Sequence, residues 1–105
     1  MHIFTETDPE GGIHLGFDYT KELCHVQSEF QDIKVIDTTA YGRMLILDGC
    51  VMLTDYDEFV YHEMIAHIPC LYHKNPRSAL VLGGGDGGTV RELLKHTNLE
   101  QIVLC

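Results

Sequence analysis

A run of six residues, Gly83-Gly84-Gly85-Asp86-Gly87-Gly88, constrains the fold more than any other feature of this chain. It follows Ser78-Ala79-Leu80-Val81-Leu82, a short continuous apolar stretch of the kind found in the middle of a parallel sheet. It precedes a helical stretch, Thr89 to His96, with Lys95 and His96 in the last turn and Asn98 near the C-cap. Gln101 to Cys105 reads as a second strand. Leu80–Cys105 is therefore one β-loop-α-β unit, the opening of a doubly wound α/β sheet. One such unit leaves a sheet edge open and has no second helical layer, so the sequence reads as a truncated piece of a larger domain.

Gly83, Gly85 and Gly88 satisfy the spacing G-x-G-x-x-G between a strand and a helix. Glycines there allow a ligand close to the backbone, and the helix start offers free N–H groups, so a nucleotide-type ligand is expected. Asp86 narrows the choice. A dinucleotide sets its pyrophosphate at such a loop, and a carboxylate would oppose it by roughly a few kcal/mol at the effective dielectric of a partly buried site. A cationic adenosyl-sulfonium ligand fits better, above all one that carries an amine. The alternative is that Asp86 is a turn residue or helix cap, roles Asp often fills.

The first half of the chain has a different texture. Ile13, Leu15, Phe17 and Tyr19 alternate with polar or small residues, a period-2 strand pattern preceded by the loop Glu10-Gly11-Gly12. Further strands are expected at Leu23–Ser28 and Phe30–Thr38, the latter with Ile33 and Val35 on one face. Arg43–Leu47 and Cys50–Leu53 flank Asp48-Gly49, a two-residue hairpin turn that needs positive φ at both positions. A helix is expected next, capped by Thr54, with Asp55, Asp57 and Glu58 in its first turn. Its apolar stripe would comprise Phe59, Val60, Met64, Ala66 and Ile68, with Pro69 disturbing or ending it. The expected organisation is a β-strand domain over 1–54, a connecting helix and turn over 55–77, and the first βαβ unit of a Rossmann-like domain over 78–105.

Composition excludes several classes. Sixteen acidic against seven basic residues give a net charge of −9, which disfavours nucleic acid as a partner. Such acidity suits a cationic ligand or simply solubility. No apolar run approaches the ~20 residues of a membrane span, and the start lacks a signal-peptide pattern, so a cytoplasmic protein is expected. Cys24, Cys50, Cys70 and Cys105 stand singly, without a C-x-x-C pair, and are expected to be free thiols in apolar places. His62-Glu63-Met64-Ile65-Ala66-His67 comes close to a zinc motif but has one residue too many. Histidines five apart lie about 140° apart on a helix, against about 40° for four apart, so no metal is expected.

Four blocks together carry a family resemblance. They are Phe30-Gln31-Asp32, the hairpin Tyr41-Gly42-Arg43-Met44-Leu45-Ile46-Leu47-Asp48-Gly49, the segment Asp57-Glu58-Phe59-Val60-Tyr61-His62-Glu63-Met64, and the glycine loop with Arg91-Glu92 and Lys95-His96 after it. In order and spacing this resembles the N-terminal part of spermidine synthases, the polyamine aminopropyltransferases, over about residues 12–105. The resemblance implies a small N-terminal β domain followed by a methyltransferase-type Rossmann-like domain. It implies transfer of an aminopropyl group from decarboxylated S-adenosylmethionine to putrescine, giving spermidine and 5′-methylthioadenosine, with no prosthetic group. It also implies a homodimer or homotetramer.

Residue by residue, Gln31 resembles the glutamine that contacts the nucleoside of the co-substrate, and Gly83, Gly84, Gly85 and Asp86 its binding loop. Tyr61, His62 and Asp86 resemble the residues that receive the polyamine or the aminopropyl amine. Taken alone, Tyr61 reads as a core or boundary aromatic, His62 as a surface histidine and Gln31 as an exposed strand residue. The family's ribose-binding and catalytic acids would fall beyond Cys105, so the 105-residue chain by itself is expected to be inactive.

The implied chemistry is displacement at a carbon beside a sulfonium by an amine. The leaving group is neutral, so the enzyme's task is to align the reactants and keep the attacking amine unprotonated. Asp86 suits an ammonium anchor, and Tyr61 and His62 suit polar contacts beside an apolar wall. Two other readings compete. A methyltransferase-type protein would share the sheet and glycine loop without needing Tyr61-His62 or Asp86. A non-catalytic β domain acting in oligomer assembly would need neither.

Overall fold

The computed structural model describes residues 1–105, which divide into two compact units, Met1–Asp57 and Glu58–Cys105.

The first unit is a five-stranded antiparallel meander with strands side by side in chain order. Its strands are β1 (His2–Asp8), β2 (Ile13–Gln27), β3 (Asp32–Thr38), β4 (Gly42–Leu47) and β5 (Cys50–Thr54). Two features depart from the sequence reading. The segment before Glu10 is a strand, β1, which pairs with β2 from His2↔Tyr19 to Asp8↔Ile13. The two strands expected around Tyr19 are one 15-residue strand. Its first half pairs with β1 and its second half with β3, and register shifts at Tyr19/Lys21 and Glu22/Cys24 re-aim it between partners.

The Asp48-Gly49 turn forms as expected, with φ of 51° and 81°. Asp48 also ties β3 to the turn. Its Oδ1 accepts the Asp32 N–H at 2.9 Å, and its own N–H donates to the Asp32 carbonyl at 2.9 Å.

The core of this unit is Ile36, Met44 and Ile46, with Phe4, Phe17, Tyr19 and Val51 packed around them. Register explains the set, since Ile36 stands opposite Met44 and Ile46 follows two residues later on the same face. The buried face of β3 thus carries Ile36 and Thr38, and Ile33 and Val35, on the opposite face, are half-buried. Aromatic rings extend the core outward. Phe17 meets Tyr41 edge-on with centroids 5.8 Å apart, and Tyr41 meets Tyr56 at 5.9 Å.

The second unit contains α1 (Glu58–Tyr72), β6 (Ser78–Val81), α2 (Gly88–Leu93) and β7 (Gln101–Leu104). β6 and β7 are parallel neighbours, Ser78↔Gln101 through Val81↔Leu104, so the expected βαβ unit is present. Both strands are narrow and largely uncovered: Leu80 and Val103 are exposed rather than enclosed.

α1 starts four residues after Thr54, whose hydroxyl donates to Asp57 Oδ1 at 2.5 Å instead of capping the backbone. The helix also runs through Pro69 and closes three residues later. Of its expected apolar stripe only Ala66 faces inward. Phe59, Val60, Met64 and Ile68 are exposed, and the buried positions are His62 and Ala66. Together with the half-buried Glu58 and Cys70 these recur every fourth residue, and that row is what the helix packs inward.

α2 is shorter than the expected Thr89–His96. After Leu93 the chain tightens into i→i+3 bonds, Lys95 N–H to the Glu92 carbonyl and His96 N–H to the Leu93 carbonyl. Contrary to the expectation of apolar surroundings, three of the four free cysteines, Cys24, Cys50 and Cys105, are exposed; burial pushes only the Cys70 thiol up. No helix is long and apolar enough to cross a membrane.

Candidate functional site

Backbone geometry explains the glycine loop. The Gly83 N–H donates to the Cys105 carbonyl at 2.7 Å, which pins the loop entrance to the end of β7. The chain then takes φ of 79° at Gly83 and 63° at Gly84, a conformation other residues adopt only with strain. Gly87, also left-handed, leads into α2, and its N–H closes the turn on the Gly84 carbonyl at 3.0 Å.

Asp86 sits inside this turn. Its Oδ1 accepts the Gly88 N–H at 2.8 Å, so the turn-residue reading of its role is structurally real. The same oxygen lies 3.0 Å from His62 Nε2, and the Asp86 side chain is 27% exposed. Asp86 thus closes its own turn through Oδ1 while its side chain stays partly exposed.

His62 differs from a surface histidine. It is 3% exposed. Its Nδ1 hydrogen-bonds Glu58 Oε2 at 2.5 Å, one helical turn back, and its Nε2 faces Asp86. Its ring lies against Gly88, where a Cβ would collide with the imidazole. The glycine at 88 is thus required by packing rather than by φ.

Glu58 is itself clamped. Arg91 reaches it with both terminal nitrogens, Nη1 to Oε1 at 2.8 Å and Nη2 to Oε2 at 2.9 Å. This fork-to-fork pairing is the strongest ordinary geometry for two such groups. The Arg91 guanidinium, with help from His62 and against partial burial, holds the Glu58 carboxyl below the usual carboxylate range; Glu58 in turn raises Arg91.

Beside this cluster is a second one. Glu92, 2% exposed, is paired with Lys95 and with Arg91 Nε at 3.0 Å. Lys95 first, then Arg91, holds its carboxyl down to about 2 despite burial. His67 bridges Glu92 at 3.2 Å and His96 at 2.8 Å. The two histidines of the near-zinc motif thus serve separate clusters, His62 with Glu58 and Asp86, His67 with Glu92 and His96.

Of the residues singled out from sequence, the second unit brings together Asp86 and His62, with Tyr61 beside them, its ring 5.3 Å from the His62 ring and 63% exposed. Gly83, Gly84 and Gly85 form the loop that carries Asp86. Gln31 belongs to the first unit, exposed in the turn between β2 and β3. Ser28 fixes that turn: its hydroxyl accepts the Gln31 N–H at 2.9 Å, and its N–H donates to the Gln31 carbonyl at 2.9 Å. Glu58 and Arg91 were not singled out for the site. Both lie inside the blocks that carry the family resemblance, and Glu58 has i,i+4 spacing to His62, but nothing local ties Arg91 to a residue 33 positions earlier.

Comparison with known proteins decides the family. Residues 2–55 match the spermidine synthase tetramerisation domain, and residues 58–105 match the spermine/spermidine synthase domain. The chain belongs to the spermidine synthase family. It is 53% identical over 96 residues to the polyamine aminopropyltransferase of Leptospira biflexa, which covers 91% of this chain and 34% of that protein. It is 49% identical over 102 residues to polyamine aminopropyltransferase 1 of Aquifex aeolicus, covering 97% of this chain and 36% of that protein. The spermidine synthase of Thermotoga maritima superposes with a TM-score of 0.95 at 39% identity, covering 99% of this chain and 36% of that one. A spermidine synthase in complex with the transition-state analogue AdoDATO matches equally well. The chain thus spans about a third of the length of the relatives it matches. The βαβ unit and the antiparallel β domain expected for this family are both present.

Proposed function

We propose that the full-length protein is a polyamine aminopropyltransferase, moving the aminopropyl group of decarboxylated S-adenosylmethionine to putrescine. The observation that carries this reading is Asp86: a partly exposed carboxylate set in a glycine loop between a parallel strand and a helix, where a phosphate-binding protein would avoid negative charge. The relatives' names and the family match support it.

The reaction forms a C–N bond at the carbon beside the sulfonium and breaks that carbon's bond to sulfur. The sulfur leaves as neutral methylthioadenosine, and the amine nitrogen loses a proton. Gly83, Gly84 and Gly85 admit the co-substrate to the backbone, and Gln31 meets its nucleoside. Tyr61, His62 and Asp86 form the amine end. The match to a tetramerisation domain supports a homo-oligomer, homotetramer or homodimer, and the absence of a membrane-crossing helix is compatible with a cytoplasmic enzyme.

The test is direct. Full-length protein incubated with decarboxylated S-adenosylmethionine and putrescine is expected to release spermidine and methylthioadenosine in equal amounts. Folded protein that forms neither, with putrescine or any other diamine, contradicts the reading.

A further inference from the structure

We propose that Ser28 and Asp48 are positioning residues for the nucleoside end of the co-substrate, because they fix the backbone on the two sides of Gln31. This rests on the aminopropyl-transfer reading above, in which Gln31 meets the nucleoside.

Gln31 ends the turn between β2 and β3, and its backbone is committed on both groups. Ser28 Oγ accepts the Gln31 N–H at 2.9 Å. The Gln31 carbonyl accepts the N–H of Ser28 at 2.9 Å and its hydroxyl at 3.0 Å. The same hydroxyl oxygen accepts the Phe30 N–H at 3.2 Å, so one serine closes the whole turn. With its backbone occupied and the residue exposed, Gln31 has its side-chain amide left to meet a ligand.

Asp48 holds the other side. Two facing residues of an antiparallel pair ordinarily exchange two backbone hydrogen bonds. Between Asp32 and Asp48 one bond is of that kind, from the Asp48 N–H to the Asp32 carbonyl at 2.9 Å. The second runs from the Asp32 N–H to Asp48 Oδ1, also at 2.9 Å, so a side chain supplies the acceptor. Asp48 is the only non-glycine residue with a positive φ, 51°. Glycine would meet the conformational demand of that two-residue turn with less strain. The turn alone therefore does not account for Asp48, whereas a fixed Asp32, the neighbour of Gln31 in the chain, does. His25 adds a third hold on Asp32, with Nε2 2.7 Å from its Oδ1. Gln31 is thus rooted between two anchored backbone segments. Binding a nucleoside there orders one side chain rather than a loop, and such preorganisation favours affinity.

The test is a double-mutant cycle in the full-length protein, read by calorimetry with methylthioadenosine and, as a control for the amine end, putrescine. Gln31→Ala alone tests the underlying reading. If methylthioadenosine then binds as before, the nucleoside role of Gln31 falls and this inference falls with it. If it binds more weakly, Asp48→Gly decides the inference, since glycine keeps the positive φ and removes the acceptor. That change is expected to weaken methylthioadenosine about 2- to 5-fold and to leave putrescine unaffected. In the Gln31→Ala background it is expected to cost nothing further, because its route to the ligand has been cut. Asp48→Asn, which can still accept the Asp32 N–H, is expected to restore binding. A loss shared by both ligands, one that adds to that of Gln31→Ala, one that asparagine does not rescue, or no loss at all makes Asp48 a turn residue only and overturns the inference. Should Asp48→Gly not fold, Ser28→Ala, which loosens the turn from its other side, is read against the same two ligands, alone and with Gln31→Ala.

Discussion

The two units bury different kinds of residue. In the first, Ile36, Met44 and Ile46 are enclosed, with Thr38 and Thr54 the buried polar residues. Its sheet is paired side by side from β1 to β5, with register shifts in β2 and between Leu45 and Ile46. In the second, the enclosed side chains are His62, Thr89 and Glu92, with Ala66 and Leu93 the only buried apolar ones. The centre of the first unit is an apolar cluster, which is insensitive to pH, whereas His62 and Glu92 bring ion pairs, which are exacting about geometry and sensitive to protons, into the interior of the second. The difference teaches where function can be built. The unit with the more polar interior carries Asp86, whose orientation is set by that same network.

Predictions follow the contrast from the strongest effect to the weakest. Ile36→Ala is expected to destabilise the first unit by about 2–5 kcal/mol, since it empties the centre of a small core. Denaturant melting with amide exchange should place the loss in β1–β5 and leave Glu58–Tyr72 as before. Loss confined to the second unit would erase the contrast. Gly88→Ala is the matching change in the other unit. The added methyl would collide with the His62 ring, and overpacking of this sort costs about 1–3 kcal/mol. Exchange should quicken in α1 and α2 and not in the meander.

Acid should separate the units next. The Glu92 carboxyl has an ordinary value of 4.5 and a folded one of about 2. A depressed value means stability that is present above about 4.5 and lost as pH falls towards about 2. Glu58, also depressed, works in the same direction. A pH titration followed by NMR is expected to show the second unit loosening in that window while Ile36, Met44 and Ile46 keep their core shifts. Simultaneous loss of both units would count against an ionic second unit. The smallest effect is Gln31→Ala, expected to weaken methylthioadenosine by about 0.5–1.5 kcal/mol, one ordinary hydrogen bond, and putrescine not at all. Equal weakening of both would remove Gln31 from the nucleoside end.

The same contrast decides how much could be read from sequence. Patterns that repeat locally were legible: the Asp48-Gly49 hairpin, the glycine loop and the β6-α2-β7 order all stand where residue type and spacing put them. What failed were inferences about which face is inside. Of the expected stripe Phe59, Val60, Met64, Ala66 and Ile68, only Ala66 is enclosed in this chain, which spans about a third of its relatives' length. The helix also encloses His62, whose partners are Glu58 and the distant Asp86. β1 was missed because its alternation is short and begins at the first residues, although the loop Glu10-Gly11-Gly12 before β2 does mark the hairpin turn that pairs them. Asp86 and His62 are candidate site residues in the sequence, and the structure sets them 3.0 Å apart. Their mutual contact, and the Glu58–Arg91 clamp behind it, were not legible there, since a bidentate pair 33 residues apart leaves no trace in spacing.

The most direct measurement is calorimetry of Asp86→Asn in the full-length protein against decarboxylated S-adenosylmethionine and methylthioadenosine. Asn matches Asp in shape and can still accept the Gly88 N–H, so the loop should keep its form. What is lost is one charge-assisted contact to an ammonium, about 1.5–3 kcal/mol. The expected result is a roughly 10- to 150-fold loss of affinity for the amine-bearing co-substrate with methylthioadenosine bound as before. Equal weakening of both ligands would contradict it and leave Asp86 a turn residue only.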